Sequence, residues 1–170
     1  MPDYRVRVTK DYTVFCAGHF ITYAGGKCEA LHGHNYRAAA SLEGALNADH
    51  YVFDFVTLKK ILRNVCDRLD HRMLLPLRNP LIDVLEADGE VEVRFKTRRY
   101  VFPREDCVLL PIANTTAELL AEWIAGEVRA VLFEKGPIPA LTALEVEVEE
   151  TVGQTAFCRI TLEEKANDEG

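Results

Sequence analysis

From Leu144 to Glu149 the sequence alternates without a break: Leu-Glu-Val-Glu-Val-Glu. A period of two puts Leu144, Val146 and Val148 on one face of an extended chain, and Glu145, Glu147 and Glu149 on the other. A strand divided this way needs one dry face and one wet face. That is the pattern of an antiparallel sheet covered on a single side. The next position on the dry face is Glu150. An ionised carboxylate there is costly unless a donor pairs with it. Two readings stand. Either the strand ends at Glu149 and Glu150 is solvated, or Glu150 stays inside and accepts two parallel hydrogen bonds from a planar pair of N–H donors. Arginine offers such a pair, and so does the amino-pyrimidine edge of a bound heterocycle.

Strand character recurs in "YRVRVTKDYTVFCAGHF", where Val6, Val8 and then Val14 alternate with polar neighbours. It recurs in "NYRAAASLEGAL", which runs into a turn near Gly44, and in "AFCRITLEE". "EVEVRFKTRRYVF" reads as an additional hairpin. Two segments are helical. In the first, residues 54–71, Asp54 is the expected N-cap, and Leu58, Ile61, Leu62, Val65 and Leu69 form one apolar stripe. In the second, residues 115–136, the stripe is Leu120, Ile124, Val128, Val131 and Leu132. Thr115 and Glu118 make a capping-box pattern at its start, and Gly136-Pro137 ends it. The terminal "KANDEG" reads as a frayed tail. No repeat or linker interrupts the 170 residues, so a single domain over residues 1–170 is expected. Strands at both ends with helices between predict an α+β fold, its helices on one face of an antiparallel sheet.

The net charge of −7 argues against a nucleic-acid partner, which needs a basic face. It leaves an anionic small molecule open, because a few local cations hold one. The N-terminal stretch lacks the apolar core of a signal peptide, and no apolar run is long enough to span a membrane. Cys16, Cys28, Cys66, Cys107 and Cys158 are scattered and odd in number, unlike a disulfide framework. The expectation is a cytoplasmic protein with free thiols and no membrane partner.

Chemistry concentrates in "KCEALHGHNY", residues 27–36. His32 and His34 are two apart, so on a strand both side chains share one face. Gly33 between them leaves the opposite face without bulk. His19 ends the first strand pattern. Three imidazoles converging from two strands make a three-ligand zinc site with a fourth position open to water or substrate. A single strand histidine is more often a core or surface residue; His50 has no histidine partner at such spacing and is read as a loop residue. Cys28 is open to four roles: fourth ligand, nucleophile, general base or inert thiol.

These residues resemble the 6-pyruvoyltetrahydropterin synthase family, which includes the 6-carboxytetrahydropterin synthases. The matching pieces are "FCAGHF", "CEALHGHNY", "VFDF", "LDHRML", "NTTAE" and "EET", in the family's order over residues 14–151. The resemblance implies a tunnelling fold: a four-stranded antiparallel sheet with two helices, three subunits closing a barrel, and two trimers stacked as a hexamer. It implies zinc on His19, His32 and His34, and Cys28 as the proton-abstracting base. It implies Asp70 and His71 as a second acid/base pair, with Glu150 and the stretch around Thr116 binding the pterin. The implied substrate is 7,8-dihydroneopterin triphosphate. Adjacent residues within a helix do not face each other, so an Asp70–His71 pair requires a helix end or a loop. Read without the resemblance, "DH" is a histidine meeting the dipole at a helix C-terminus.

The short "CEALHGH" spacing looks like the carboxy-forming branch, which releases acetaldehyde and feeds queuosine synthesis. The pyruvoyl-forming enzyme and a non-catalytic pterin- or purine-binding member are the alternatives. The sequence departs from the family at Leu75-Pro76, where Leu-Asn is common, and at Thr115, where proline is usual. It also carries an insertion over about 84–110. Arg94, Lys96, Arg98, Arg99 and Arg104 in that insertion are read either as a solvated face or as contacts to a triphosphate or a neighbouring subunit.

Overall fold

The computed structural model describes residues 3–134 and 140–162, and the side chains of residues 10–12 are left aside. Gly136-Pro137 and the "KANDEG" tail lie outside the described residues. One long antiparallel hairpin organises the rest. Strand β1 (Tyr4–His19) pairs with β4 (His32–Gly44), from Tyr4 opposite Gly44 to His19 opposite His32. Between its arms sits a small hairpin of β2 (Thr22–Tyr23) and β3 (Lys27–Cys28). Then come α1 (Phe55–Asp67), β5 (Arg72–Pro76), β6 (Asp83–Ala87), β7 (Glu90–Phe95), β8 (Arg98–Pro103), β9 (Cys107–Leu110), α2 (Ala117–Phe133), β10 (Leu141–Thr151) and β11 (Gln154–Thr161). The architecture is α+β.

The main sheet has six strands in the order β11-β10-β4-β1-β5-β9, not the four expected. The first four are the expected antiparallel set. The other two, β5 and β9, run parallel to β1 and to each other. Their sequences explain the omission. Met73 to Pro76 is a continuous buried apolar run, and such runs, covered on both faces, show no alternation to read. The insertion contains the expected hairpin as β7-β8 and extends it with β6 into a three-stranded sheet.

Both helices cover the dry face. Leu58, Leu62, Val65, Leu120, Ile124 and Val128 pack with Leu42, Leu144, Val146 and Val148 in one core. Asp54 caps α1 as expected, accepting from the Thr57 N–H at 2.7 Å. The cap of α2 is Thr116 rather than Thr115: Thr115 is fully buried, and its hydroxyl donates to the Phe20 carbonyl. Val131 is also corrected. It is exposed, because the stripe continues through Ala121 and Ala125 on the other side. Among the described residues no helix is long and apolar enough to cross a membrane.

One irregularity decides where the histidines point. The β1–β4 register shifts between Thr9 and Val14, where β1 inserts extra residues against a single residue of β4. A shift of odd length exchanges the two faces of a strand. Val8 is buried on one side of it, and Phe15, Ala17 and His19 are buried on the other, while Val14 turns out of phase. Without the bulge, His19 faces away from His32 and His34.

Candidate metal centre and active site

His19, His32 and His34 meet at the end of the β1–β4 hairpin, with their ligand atoms all within 4.8 Å of one another. The cluster is able to hold a metal ion. Close strand approach makes this possible: a Cβ on Gly33 would lie 2.9 Å from the Ala17 carbonyl oxygen. The donors are also prepared. The His19 Nδ1 lies 2.9 Å from the Thr115 carbonyl oxygen, and the His32 Nδ1 lies 2.8 Å from that of Ala30. A carbonyl only accepts, so each Nδ1 carries the proton and each Nε2 keeps its lone pair for a metal. Burial holds His19 below the usual histidine range, further favouring the neutral ligand form. A three-imidazole set of this kind fits zinc.

Glu150 takes the inner position. Its Oε1 lies 3.6 Å from His19 Nε2 and 3.7 Å from His34 Nε2, and accepts from the Tyr36 hydroxyl at 3.3 Å. Tyr36 is fully buried beneath the histidines. Burial and the adjacent Glu150 carboxylate push its hydroxyl well above the usual range, so it stays a donor. Sequence reasoning missed Tyr36, although its even position in β4 places it on the face of His32 and His34. Glu150 and Thr116 line one cavity of about 440 Å3, together with Ile21, Ala117, Glu118 and Gln154. Thr116 serves there as the α2 cap, accepting from the Leu119 N–H at 3.5 Å. The neighbouring residues of "NTTAE" support the histidine cluster instead. Asn114 bridges the Thr22 backbone, and Thr115 holds His19 through its carbonyl.

Cys28 lies in the connection between His19 and His32, buried against Phe20 and Met73. Burial pushes its thiol up, with the Arg98 charge working the other way. Glu29, which sequence reasoning passed over, brings its Oε2 to 3.8 Å from His32 Nε2. Asp70 and His71 pair just beyond the end of α1, with His71 Nδ1 at 3.0 Å from Asp70 Oδ2. His71 has φ +55°, the left-handed turn that lets consecutive side chains meet. The hydrogen bonds and ion pairs of the described residues do not join this pair to Cys28 or to the histidines.

The sequence model of 6-pyruvoyl tetrahydropterin synthase matches residues 7–161. The chain belongs to the 6-pyruvoyl tetrahydropterin synthase family. Among relatives, it is 35% identical over 152 residues to a candidate 6-carboxy-5,6,7,8-tetrahydropterin synthase of Methanocaldococcus jannaschii, spanning 89% of this chain and 92% of that protein. It is 27% identical over 131 residues to the 6-carboxy-5,6,7,8-tetrahydropterin synthase of Aquifex aeolicus, spanning 76% and 74% of the two chains. Among solved structures, the 6-pyruvoyltetrahydropterin synthase of Plasmodium vivax superposes with a TM-score of 0.87 at 30% identity, covering 95% of this chain and 99% of that one. The Plasmodium vivax synthase has also been solved with a glutamate, described as a catalytic residue, replaced by alanine or by cysteine.

Proposed function

We propose that this chain is a zinc-dependent 6-carboxy-5,6,7,8-tetrahydropterin synthase. It acts on 7,8-dihydroneopterin triphosphate with loss of triphosphate and acetaldehyde, a lyase reaction that feeds queuosine and related deazapurine synthesis. The observation that carries this reading is the meeting of His19, His32, His34 and Glu150, with Glu150 also lining a cavity walled by Thr116. The names of the Methanocaldococcus and Aquifex relatives support the carboxy-forming branch.

Each side chain has a task in this reading. Glu150 accepts two N–H bonds from the amino-pyrimidine edge, which a carboxylate does in a planar, bidentate way. The α2 N-terminus at Thr116 offers backbone donors to the ring. Zinc, when bound at the three histidines, stabilises negative charge developing on side-chain oxygens. Cys28, as thiolate, accepts a proton from the substrate side chain. His71 passes protons at its Nε2, with Nδ1 held by the ionised Asp70. The exposed His71 makes no hydrogen bond or ion pair to Cys28 among the described residues, which supports the homo-oligomer, a hexamer of two trimers, in which a neighbour supplies the pair.

A second reading, the 6-pyruvoyltetrahydropterin synthase, is favoured by the likeness to the Plasmodium vivax enzyme. The position of Glu29 beside His32 also gives the site a second candidate base. A non-catalytic pterin-binding protein is the third. The test is turnover of 7,8-dihydroneopterin triphosphate by zinc-loaded protein, beside Cys28→Ala and Glu29→Gln, with products read by mass. A carboxy-pterin with acetaldehyde, lost in Cys28→Ala, is expected. A pyruvoyl product moves the chain to the second reading, and no triphosphate release moves it to the third.

A further inference from the structure

The inserted sheet carries five cations that the site does not use. Arg94 and Arg99 both pair with Glu92, and Arg104 pairs with Glu86. These three find carboxylates on their own sheet. Arg98 and Lys96 reach out of it, to backbone carbonyls of the loop that holds Cys28. Arg98 Nη1 donates to the Glu29 oxygen at 2.7 Å and to the Cys28 oxygen at 3.2 Å. Lys96 Nζ donates to the Gly26 oxygen at 2.6 Å. Lys96 itself is held at φ +53°, a left-handed conformation uncommon outside glycine.

The loop needs such support. Its hairpin is closed by only two residue pairs, Thr22 with Cys28 and Tyr23 with Lys27. An isolated two-stranded hairpin is marginal even when longer. Ala24, Gly25 and Gly26 all take positive φ at its tip. The apolar side of the same contact is built from the insertion too: Val91, Val93 and Phe95 of β7 belong to the buried cluster that contains Cys28, Phe20 and Met73. Polar pins on the backbone and apolar packing on the side chain thus come from one element.

We propose that Arg98, assisted by Lys96, is a positioning residue that fixes the 26–29 backbone and with it the Cys28 thiol, making the inserted sheet part of the active site's scaffold. The proposal rests on the reading of Cys28 as the base. It replaces the triphosphate role considered for these cations, since both are already engaged within the chain.

The experiment uses zinc-loaded full-length protein and the variants Arg98→Gln, Arg98→Lys and Lys96→Ala. Arg99→Gln, on the same sheet but paired with Glu92, is the control. Two readouts are taken: kcat and KM with 7,8-dihydroneopterin triphosphate, and the pH midpoint of Cys28 alkylation by iodoacetamide, followed on its peptide by mass. Arg98→Gln is expected to lower kcat about 10-fold or more with KM within about twofold, since the transition state alone needs the placed base. It is also expected to raise the alkylation midpoint, because a cation whose charge favours the thiolate is lost. Arg98→Lys, which keeps the charge, recovers part of both, and Lys96→Ala gives a smaller fall in kcat. Arg99→Gln matches the wild type. The proposal is overturned if Arg98→Gln leaves kcat and the midpoint unchanged, or if Arg99→Gln reproduces its effects. If the wild type turns nothing over, the base reading has failed, and the alkylation midpoint alone decides the positioning role.

Discussion

Asp70 ties His71 to strand β1: its Oδ2 lies 3.0 Å from the His71 Nδ1, and its Oδ1 accepts from the Cys16 N–H at 2.8 Å. The His71 N–H in turn donates to the Cys16 carbonyl at 2.7 Å. Burial works to raise the Asp70 carboxyl, but the Cys16 N–H and the His71 bond outweigh it, and it sits below the usual carboxylate range. A depressed carboxyl stabilises the fold above its unfolded value, about 3.9, and that contribution is lost as pH falls through the lower folded value. The wild type is therefore expected to lose melting temperature below about pH 4 more steeply than Asp70→Asn. Thermal melts from pH 7 to pH 2 check this, and parallel curves sink it. At neutral pH, Asp70→Asn is expected to lower kcat about 100-fold, as for loss of a positioned acid/base.

Glu150 faces both the histidines and the cavity. Glu150→Gln keeps the shape and removes the charge. It is expected to weaken pterin binding about 10-fold to 100-fold, the range for a charge-assisted hydrogen bond. Metal content should stay near wild type. Equilibrium binding of a non-reactive pterin, beside metal analysis, separates the two effects. Loss of metal without loss of pterin affinity contradicts the assignment.

Three convergent imidazoles, with the Nδ1 atoms of His19 and His32 turned to carbonyls, predict one metal ion per chain. Zinc at about 100 times its Kd should stabilise the wild type by about 2.7 kcal/mol, and His32→Ala should show none of this gain. Denaturant melts with and without zinc measure the difference. An equal gain in His32→Ala removes that residue from the ligand set.

Gly33 is expected to tolerate no side chain. The added methyl of Gly33→Ala would meet the Ala17 carbonyl, so β1 must move away from β4. A cost of about 1–3 kcal/mol in urea unfolding is expected, as for overpacking. A second consequence follows from the pairing of Ala17 with His34 across the same strands: the three ligands splay, and zinc affinity falls. Competition with a chromogenic chelator reads that fall directly.

The separation of Cys28 from the Asp70–His71 pair gives a test of assembly. Cys28→Ala and His71→Ala should each be nearly inactive. If neighbouring copies share the site, subunits unfolded and refolded as a mixture should regain activity that neither variant has alone. Absence of any recovery, with mixed oligomers verified by native mass spectrometry, assigns all three residues to one chain.

Much of this was local and therefore legible. The period of two in β10 and the stripes of α1 and α2 come from repeat distances within one element, and so does the shared face of His32 and His34. The inward position of Glu150 follows from the same alternation, although it is the contacts with Tyr36, His19 and His34 that select it over a solvated strand end. The spacing of Asp70 and His71 was legible too, but the left-handed turn that joins them was not.

The sequence by itself determined the class of fold and the identity of the histidine donors, because periodicity and residue chemistry are carried by neighbours in the chain. The tertiary structure decided what those donors face. The register shift in β1 turns His19 inward. The carbonyls of Thr115 and Ala30 set the tautomers of His19 and His32. The inserted sheet anchors Cys28 from 70 residues away. Apart from the local Ala30–His32 bond, each of these is a contact between distant segments, fixed by packing and hydrogen bonding across the folded molecule, and no local pattern encodes it.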